Sequence, residues 1–65
     1  YYENNNIHII GNPDYIELYD ISGKLILQSN ISTSAISANL KNGIYVLKLH
    51  NTQENEVTTS KLIVK

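Results

Sequence analysis

The sequence predicts an all-β fold, namely a small antiparallel immunoglobulin-like β-sandwich of about six to seven strands. Apolar and polar residues alternate in several short runs, which is the period of half-buried strands. Asn, Ser and Gly separate these runs at intervals of about 8 to 12 residues, and no long helical pattern occurs. Strand-favouring Ile, Val, Thr and Tyr are frequent, whereas Ala is scarce. A small open barrel is the alternative arrangement of the same strands.

Length and composition exclude several classes of function. A chain of 65 residues makes one domain, and it removes only roughly 60% of its unfolded surface from water, so we expect marginal stability. The absence of cysteine excludes disulfides, thiolate metal sites and cysteine nucleophiles. Five lysines and six acidic residues are scattered along the chain, so no nucleic-acid partner is expected. Apolar runs are far shorter than the roughly 20 residues of a membrane-spanning helix, so no such segment is expected.

The chain start predicts a short lead-in before the domain. Residues 1–6 are polar and include three consecutive asparagines, so they are interpreted as a linker remnant that adds nothing to the core. Residues 7–65 then form the β-sandwich domain. Because the chain opens on Tyr1 rather than Met, we expect it to be a piece of a longer protein.

A first strand and a hairpin follow in order. The first strand is predicted over residues 7–10, and it ends in a turn at residues 11–14, where Pro13 lacks the amide that a central strand needs. A β-hairpin is predicted over residues 15–27. In its first run Ile16 and Leu18 fall on one face, and Tyr15, Glu17 and Tyr19 fall on the other.

The hairpin turn is Asp-Ile-Ser-Gly at residues 20–23. Asp20 can accept a hydrogen bond from the backbone two residues on, and Gly23 accepts a positive φ, so a type I turn with a Gly bulge fits. In the second run, Leu25 and Leu27 are predicted to share one face while Ile26 lies on the other.

The second half of the chain predicts three more strands. Residues 29–34 are interpreted as a connection, and residues 36–40 as a strand rather than part of a helix over residues 32–40, because their apolar residues recur every second position. Residues 40–43, Leu-Lys-Asn-Gly, are chemically similar to the first turn. The remaining runs are a central strand over residues 44–49, a polar turn over residues 50–56, and a last strand over residues 57–65.

Tyr45 is the one side chain with a specific structural prediction. Gly43 ends a turn, and Tyr45 begins the following strand two residues later, which is the arrangement of a tyrosine corner. We predict that Tyr45 is largely buried and that its hydroxyl bonds a backbone group near residues 39–41. The alternative is a core tyrosine whose hydroxyl lies in water.

No catalytic residue, cofactor or metal site is predicted, and an enzyme is not expected. The histidines His8 and His50 lack the spacing of metal ligands. No Gly-x-Ser-x-Gly elbow or paired carboxylates occur, and each glycine is an isolated turn residue rather than part of a phosphate-binding loop. The acidic residues of the predicted turns are expected to serve local hydrogen bonding and solubility; they are Asp14, Asp20, Glu54 and Glu56.

Exposed tyrosines suggest a second function, a carbohydrate-binding or adhesion module. Four tyrosines could form an aromatic platform on which a sugar stacks; they are Tyr1, Tyr2, Tyr15 and Tyr19. Cross-strand packing of Tyr15 and Tyr19 on one sheet face is the competing interpretation.

Three segments taken together resemble a known family. They are Leu-Tyr-Asp-Ile-Ser-Gly-Lys-Leu at residues 18–25, Leu-Lys-Asn-Gly-Ile-Tyr-Val-Leu-Lys-Leu at residues 40–49, and Lys-Leu-Ile-Val-Lys at residues 61–65. Their order and spacing resemble the C-terminal sorting domain of the type IX secretion system of Bacteroidetes, over about residues 7–65. The signature residues are Tyr19, Asp20, Gly23, Lys24, Gly43 and Tyr45. Many members open with Pro-Asn-Pro before the first strand, whereas here Asn-Pro-Asp at residues 12–14 follows it.

The resemblance implies an export signal. A domain of this kind is carried at the C-terminus of a larger cargo protein, takes it from the periplasm through the outer-membrane type IX translocon to the cell surface or medium, and is then removed by a sortase-like peptidase. The implied partners are the translocon, a shuttle protein, the peptidase and the fused cargo.

The last strand is the predicted recognition segment; its residues are Lys61, Leu62, Ile63, Val64 and Lys65. A folded signal is read through exposed strand edges or turns, and this strand offers two lysines around an apolar core. The competing interpretation is an edge strand that its lysines protect against aggregation, and an unprotected edge would also allow self-association.

Overall fold

The computed structural model describes residues 1–31 and 34–65, which form seven β-strands in two antiparallel sheets. The strands are β1 (Tyr2–Glu3), β2 (Asn6–His8), β3 (Tyr15–Asp20), β4 (Leu25–Asn30), β5 (Ala35–Ser37), β6 (Gly43–Asn51) and β7 (Glu56–Val64). One sheet has the order β1-β2-β5 and the other the order β4-β3-β6-β7. The predicted all-β sandwich is confirmed. The described part of the chain contains no helix able to cross a membrane.

The core lies between the two sheets and follows the period-2 alternation. Its buried side chains are Ile7 and Ile9 on the three-stranded side, and Ile16, Leu18, Tyr45, Leu47, Leu62 and Val64 on the four-stranded side. In β3 the buried Ile16 and Leu18 alternate with half-buried residues, as predicted. Strand β6 pairs with β3 on one side and β7 on the other, which confirms its predicted central position.

The turn between β3 and β4 has the predicted hydrogen bonds. The Gly23 amide donates to the Asp20 carbonyl (3.0 Å), and Gly23 has a φ of 92°. The Asp20 carboxylate accepts the amides of Ser22 (2.9 Å) and Lys24 (3.0 Å). The carboxylate therefore replaces backbone partners that the turn residues lack, and the signature residues Asp20 and Gly23 have a structural role here.

A β-bulge reverses the predicted orientation of one side chain in β4. The β3–β4 register shifts after Leu18, so that Leu27 lies opposite Leu18 and Leu25 opposite Tyr19. Leu25 and Leu27 were predicted to share a face, and this is wrong because the extra residue inserts between them. Leu27 packs against the core, whereas Leu25 points away from it and is 42% exposed.

The first six residues do not behave as a linker. Strands β1 and β2 form a hairpin around Asn4 and Asn5, whose φ values of 53° and 60° are left-handed, a conformation that Asn tolerates. Tyr2 packs against the core, and its hydroxyl donates to the Ala38 carbonyl (2.6 Å) and accepts the Leu40 amide (3.1 Å). Tyr2 thus joins the start of the chain to the segment after β5.

The segment at residues 40–43 is a crossover between sheets and not a copy of the first turn. It leaves β5 in the three-stranded sheet and enters β6 in the other. Strand β5 covers Ala35–Ser37, so the strand prediction over residues 36–40 holds only in its first half. The predicted connection over residues 29–34 and the helix alternative both include Ser32 and Thr33, which lie outside the described residues.

Tyr45 confirms the predicted hydrogen bond. It is 8% exposed, and its hydroxyl donates to the Lys41 carbonyl (2.7 Å), which ties the crossover to the central strand. Tyr45→Phe should lower the free energy of unfolding by about 1 kcal/mol, the net value of one hydrogen bond. For a domain of this size the melting temperature should fall by about 4–8 °C. Thermal unfolding followed by circular dichroism measures this, and an unchanged midpoint would show that the bond adds nothing.

Candidate recognition surface

The terminal strand divides its residues between the core and the surface. Leu62 and Val64 are 3% and 5% exposed and pack in the core. Lys61 and Ile63 alternate with them and point to the outer face of the four-stranded sheet, where Ile63 is 55% exposed. Lys65 follows the strand and is exposed. Of the predicted recognition segment, a partner of the folded domain can therefore contact the lysines and Ile63 but not Leu62 and Val64.

Strand register brings the signature turn and the terminal strand onto one surface. Leu25, Tyr19, Val46 and Lys61 lie opposite one another in a row across all four strands, on the face away from the core. Beside this row, Ile44 pairs with Ile63, and these two are 43% and 55% exposed. We call the apolar members of this surface the outer-face patch: Tyr19, Leu25, Ile44, Val46 and Ile63.

A shallow pocket lies next to the patch, at the turn between β3 and β4. Its walls are Tyr19, Asp20, Ile21, Gly23, Val46 and Lys48. Ile21 stands at the tip of the turn and is 78% exposed. The pocket extends the patch toward the signature turn, so Tyr19, Asp20 and Gly23 border a surface that a partner can reach.

The remaining signature residues lie elsewhere. Tyr45 belongs to the core, and Gly43 pairs with Val64 at the start of β6. Lys24 is exposed just after the turn, where its amide is held by Asp20. Whether any of them takes part in recognition stays a prediction.

Polar contacts fix the one aromatic ring of the patch, that of Tyr19. Glu17 accepts hydrogen bonds from His50 (2.6 Å) and from the Tyr19 hydroxyl (2.9 Å), with one carboxylate oxygen for each. The Lys48 ammonium lies 5.2 Å from the centre of the Tyr19 ring. The hydrogen bonds from His50 and then Tyr19 lower the pKa of Glu17, and the hydrogen bond to Glu17 raises the pKa of Tyr19. Tyr19 is therefore held in one orientation on the outer face of the sheet, next to the turn between β3 and β4.

These contacts give a pH prediction. Hydrogen bonds from Thr52, His50 and Ser22, respectively, are the main reason that Asp14, Glu17 and Asp20 have a lowered pKa. A carboxyl group with a lowered pKa stabilises the fold above its ordinary value, which is 3.8 for Asp and 4.5 for Glu. That contribution is lost as the pH falls through the lowered pKa. We expect the melting temperature to fall between about pH 5 and pH 3.

The Asp20→Asn variant is the control for the pH prediction. It removes one titrating carboxyl group but keeps an oxygen that can accept the turn amides. Melting temperatures measured across this pH range should vary less for Asp20→Asn than for the unmodified chain. If the melting temperature of the two proteins changes equally with pH, Asp20 does not contribute to the acid sensitivity.

The four tyrosines do not form a common platform. The Tyr1 ring stacks on His8 with 4.6 Å between centroids, and the Tyr2 hydroxyl is used inside the fold. Tyr15 lies on the other sheet, contacts the edge of His50 and donates to Gln28. Residues 1–31 and 34–65 also contain no group of three His, Cys, Asp or Glu that could hold a metal ion.

Within residues 1–31 and 34–65, no strand is hydrogen-bonded to the outer edge of β7, which is therefore called its open edge. The Asp20 amide donates to the Lys24 carbonyl, so the backbone N–H and C=O groups of even-numbered residues in β3 point toward β4. The Asp14 amide donates to the His50 carbonyl, so the backbone groups of even-numbered residues in β6 point toward β3. The backbone groups of odd-numbered residues in β6 therefore point toward β7. They form hydrogen bonds with their register partners, which are the even-numbered residues of β7. The amides and carbonyls of Val57, Thr59, Lys61 and Ile63 consequently point away from β6. β7 is the last strand of its sheet.

Charges are segregated along the four-stranded sheet. The turn end, where the Asp20–Gly23 turn lies, carries most of the basic side chains: Lys24, Lys41, Lys61 and Lys65. The loop end, where β6 turns into β7, carries Asp14, Glu54 and Glu56. Asp20 is the acidic exception at the turn end, and its carboxylate is occupied by turn hydrogen bonds. The outer-face patch therefore lies at the basic end.

Sequence reasoning missed three members of the patch, Leu25, Ile44 and Val46. Alternation does place Ile44 and Val46 on the face away from Tyr45 and Leu47, but the apolar residues on both faces of this strand were interpreted only as a sign of a central position. An apolar outer face on a strand of a small domain is itself a signal of a covered or binding surface. For Leu25 no such signal exists, because the bulge determines its direction.

Comparison with known proteins gives one match. The model of a family described as the secretion system C-terminal sorting domain matches residues 3–65. No curated protein and no solved structure matches the chain.

Proposed function

The chain belongs to the family of secretion system C-terminal sorting domains, and from this membership we propose that it directs a larger cargo protein through the type IX machinery of the outer membrane. The cargo is fused before the domain, passes through the periplasm and reaches the cell surface or medium. A shuttle protein and a sortase-like peptidase act on the domain, and the peptidase removes it after export. The match over residues 3–65 is the observation that carries this proposal.

We further propose that the machinery reads the folded domain through the outer-face patch and the adjacent lysines. Leu62 and Val64 are buried, so the folded terminal strand presents only its alternate residues. Ile44 and Ile63 form an exposed apolar pair, and Lys61 borders it. Apolar centres with a charged rim are typical of protein-binding surfaces. A partner with an apolar centre and acidic rim fits this surface.

Export of a reporter tests the sorting function. The chain is fused behind a fluorescent protein that is directed to the periplasm of a bacterium with a type IX system, and fluorescence is measured in the medium and at the cell surface. We expect export that depends on the translocon. Export that persists when the translocon is deleted, or a reporter that stays in the periplasm, would contradict the proposal.

A stability control separates recognition from folding. The Leu18→Ala reporter removes a fully buried side chain on the face of the sheet opposite the patch, and we expect it to lose most of its stability and, with it, most of its export. Export of this variant at the unmodified level would mean that the machinery reads an unfolded segment instead of a folded surface.

A further inference from the structure

We propose that two copies of this chain pair along β7, antiparallel and around a two-fold axis at Ser60, to form one continuous sheet across both molecules. The proposal concerns self-association of the free domain and is independent of the sorting function. It rests on the open edge of β7, on the residues that the pairing brings together, and on the segregated charges.

The edge of β7 is long and regular enough to accept another strand. It covers Glu56–Val64 and pairs with β6 through its whole length without a register shift. It contains no Pro and no bulge, which are two of the devices that natural proteins use to block an edge. Its outward backbone groups recur at every second residue, which is the pattern that a partner strand requires.

One register satisfies both the backbone and the side chains. Full overlap of Glu56–Val64 with its copy places Ser60 opposite Ser60, and it pairs the outward-facing residues with one another. In this register Ile63 lies opposite Val57 of the second copy, twice by symmetry, and these side chains are 55% and 57% exposed in the single chain. Lys61 lies opposite Thr59, so like charges do not meet.

Charge favours the same antiparallel arrangement. A two-fold axis at Ser60 places the basic turn end of one copy beside the acidic loop end of the other. Lys61 and Lys65 thereby approach the part of the second copy that carries Glu54 and Glu56. A parallel arrangement would place like charges side by side. Association should therefore weaken as the ionic strength rises.

Sedimentation equilibrium of the 65-residue chain over a range of concentrations tests the association. We expect a monomer–dimer equilibrium in which Ile63→Lys raises the dissociation constant at least about tenfold, because two symmetric cross-strand apolar pairs are lost. Ile44→Lys is the matched control, since Ile44 is the neighbour of Ile63 on the same face but lies in β6, away from the edge. A monomer at millimolar concentration, or equal effects of the two variants, would overturn the proposal.

A disulfide tests the register, because the chain has no cysteine of its own. Ser60→Cys places two thiols directly opposite each other in a non-hydrogen-bonded pair, where the Cα atoms are about 4.5 Å apart, close enough for a disulfide. Thr58→Cys places each thiol opposite Leu62 of the second copy, so the two introduced thiols are too far apart to form a disulfide. We expect oxidation to give covalent dimers of Ser60→Cys and not of Thr58→Cys. The opposite result, or equal cross-linking, would refute this register.

Discussion

Leu18→Ala is expected to remove most of the stability of the domain. Leu18 has no exposed surface and lies in β3, between β4 and β6. Truncating a fully buried Leu costs about 3 kcal/mol through lost burial and the cavity left behind. A domain below about 70 residues has only about 3–5 kcal/mol of stability from its core. The buried side chains of the neighbouring strand β6, Tyr45 and Leu47, cannot close the cavity without moving the backbone.

Urea unfolding followed by circular dichroism and tyrosine fluorescence measures this loss. Leu25→Ala is the matched control, because Leu25 belongs to the same hairpin but is 42% exposed on the outer face. Its free energy of unfolding should change by no more than about 0.5 kcal/mol. Equal losses in the two variants would mean that Leu25 is buried like Leu18, and that the bulge between Leu25 and Leu27 is absent.

The strands with a clear alternation could be predicted from the sequence alone. Ile16 and Leu18 alternate with polar or aromatic residues, and the burial of β3 follows this pattern. The Asp20–Gly23 turn could be predicted too, because both of its special requirements are met by single residues: an acceptor for free amides and a positive φ. The burial of Tyr45 and the hydrogen bond of its hydroxyl could be predicted from the position of Gly43, two residues earlier.

The two wrong predictions, the direction of Leu25 and the linker at residues 1–6, have different physical causes. Leu25 was misplaced because a bulge shifts the register by one residue, which moves every side chain on one side of it to the opposite face. Residues 1–6 were interpreted as a linker because their polarity hid a two-residue turn. Asn4 and Asn5 both adopt the left-handed conformation, and the run of asparagines was the available signal for it.

The candidate surface could be predicted only in part, because its members come from four strands. The turn motif and the terminal strand were each recognisable in the sequence, but their meeting depends on the order β4-β3-β6-β7. The row from Leu25 to Lys61 exists because β3 and β6 lie between the two signature segments. Sheet order is a tertiary property that alternation within one strand does not encode.

The terminal strand allows recognition and folding to be separated by neighbouring substitutions. Leu62→Ala removes a buried side chain and should lower the free energy of unfolding by about 2–4 kcal/mol, with loss of export as a consequence. Ile63→Ser changes an exposed side chain and should leave stability within about 0.5 kcal/mol. If the outer-face patch is read by the machinery, export of this variant falls at least about fivefold, since one central contact contributes more than about 1 kcal/mol to binding.

Two further variants decide whether the export machinery recognises the outer-face patch or the edge of β7. Ile44→Ser changes the patch but not the edge, so it should reduce reporter export to the same extent as Ile63→Ser. Val57→Ser changes an exposed apolar side chain on the same face at the loop end, far from the patch, and should export normally. Loss of export in Ile63→Ser and Val57→Ser, with Ile44→Ser unaffected, would instead assign recognition to the edge of β7. Because all three side chains are exposed, the three variants should have the same melting temperature. Any difference in their export then reflects binding rather than folding.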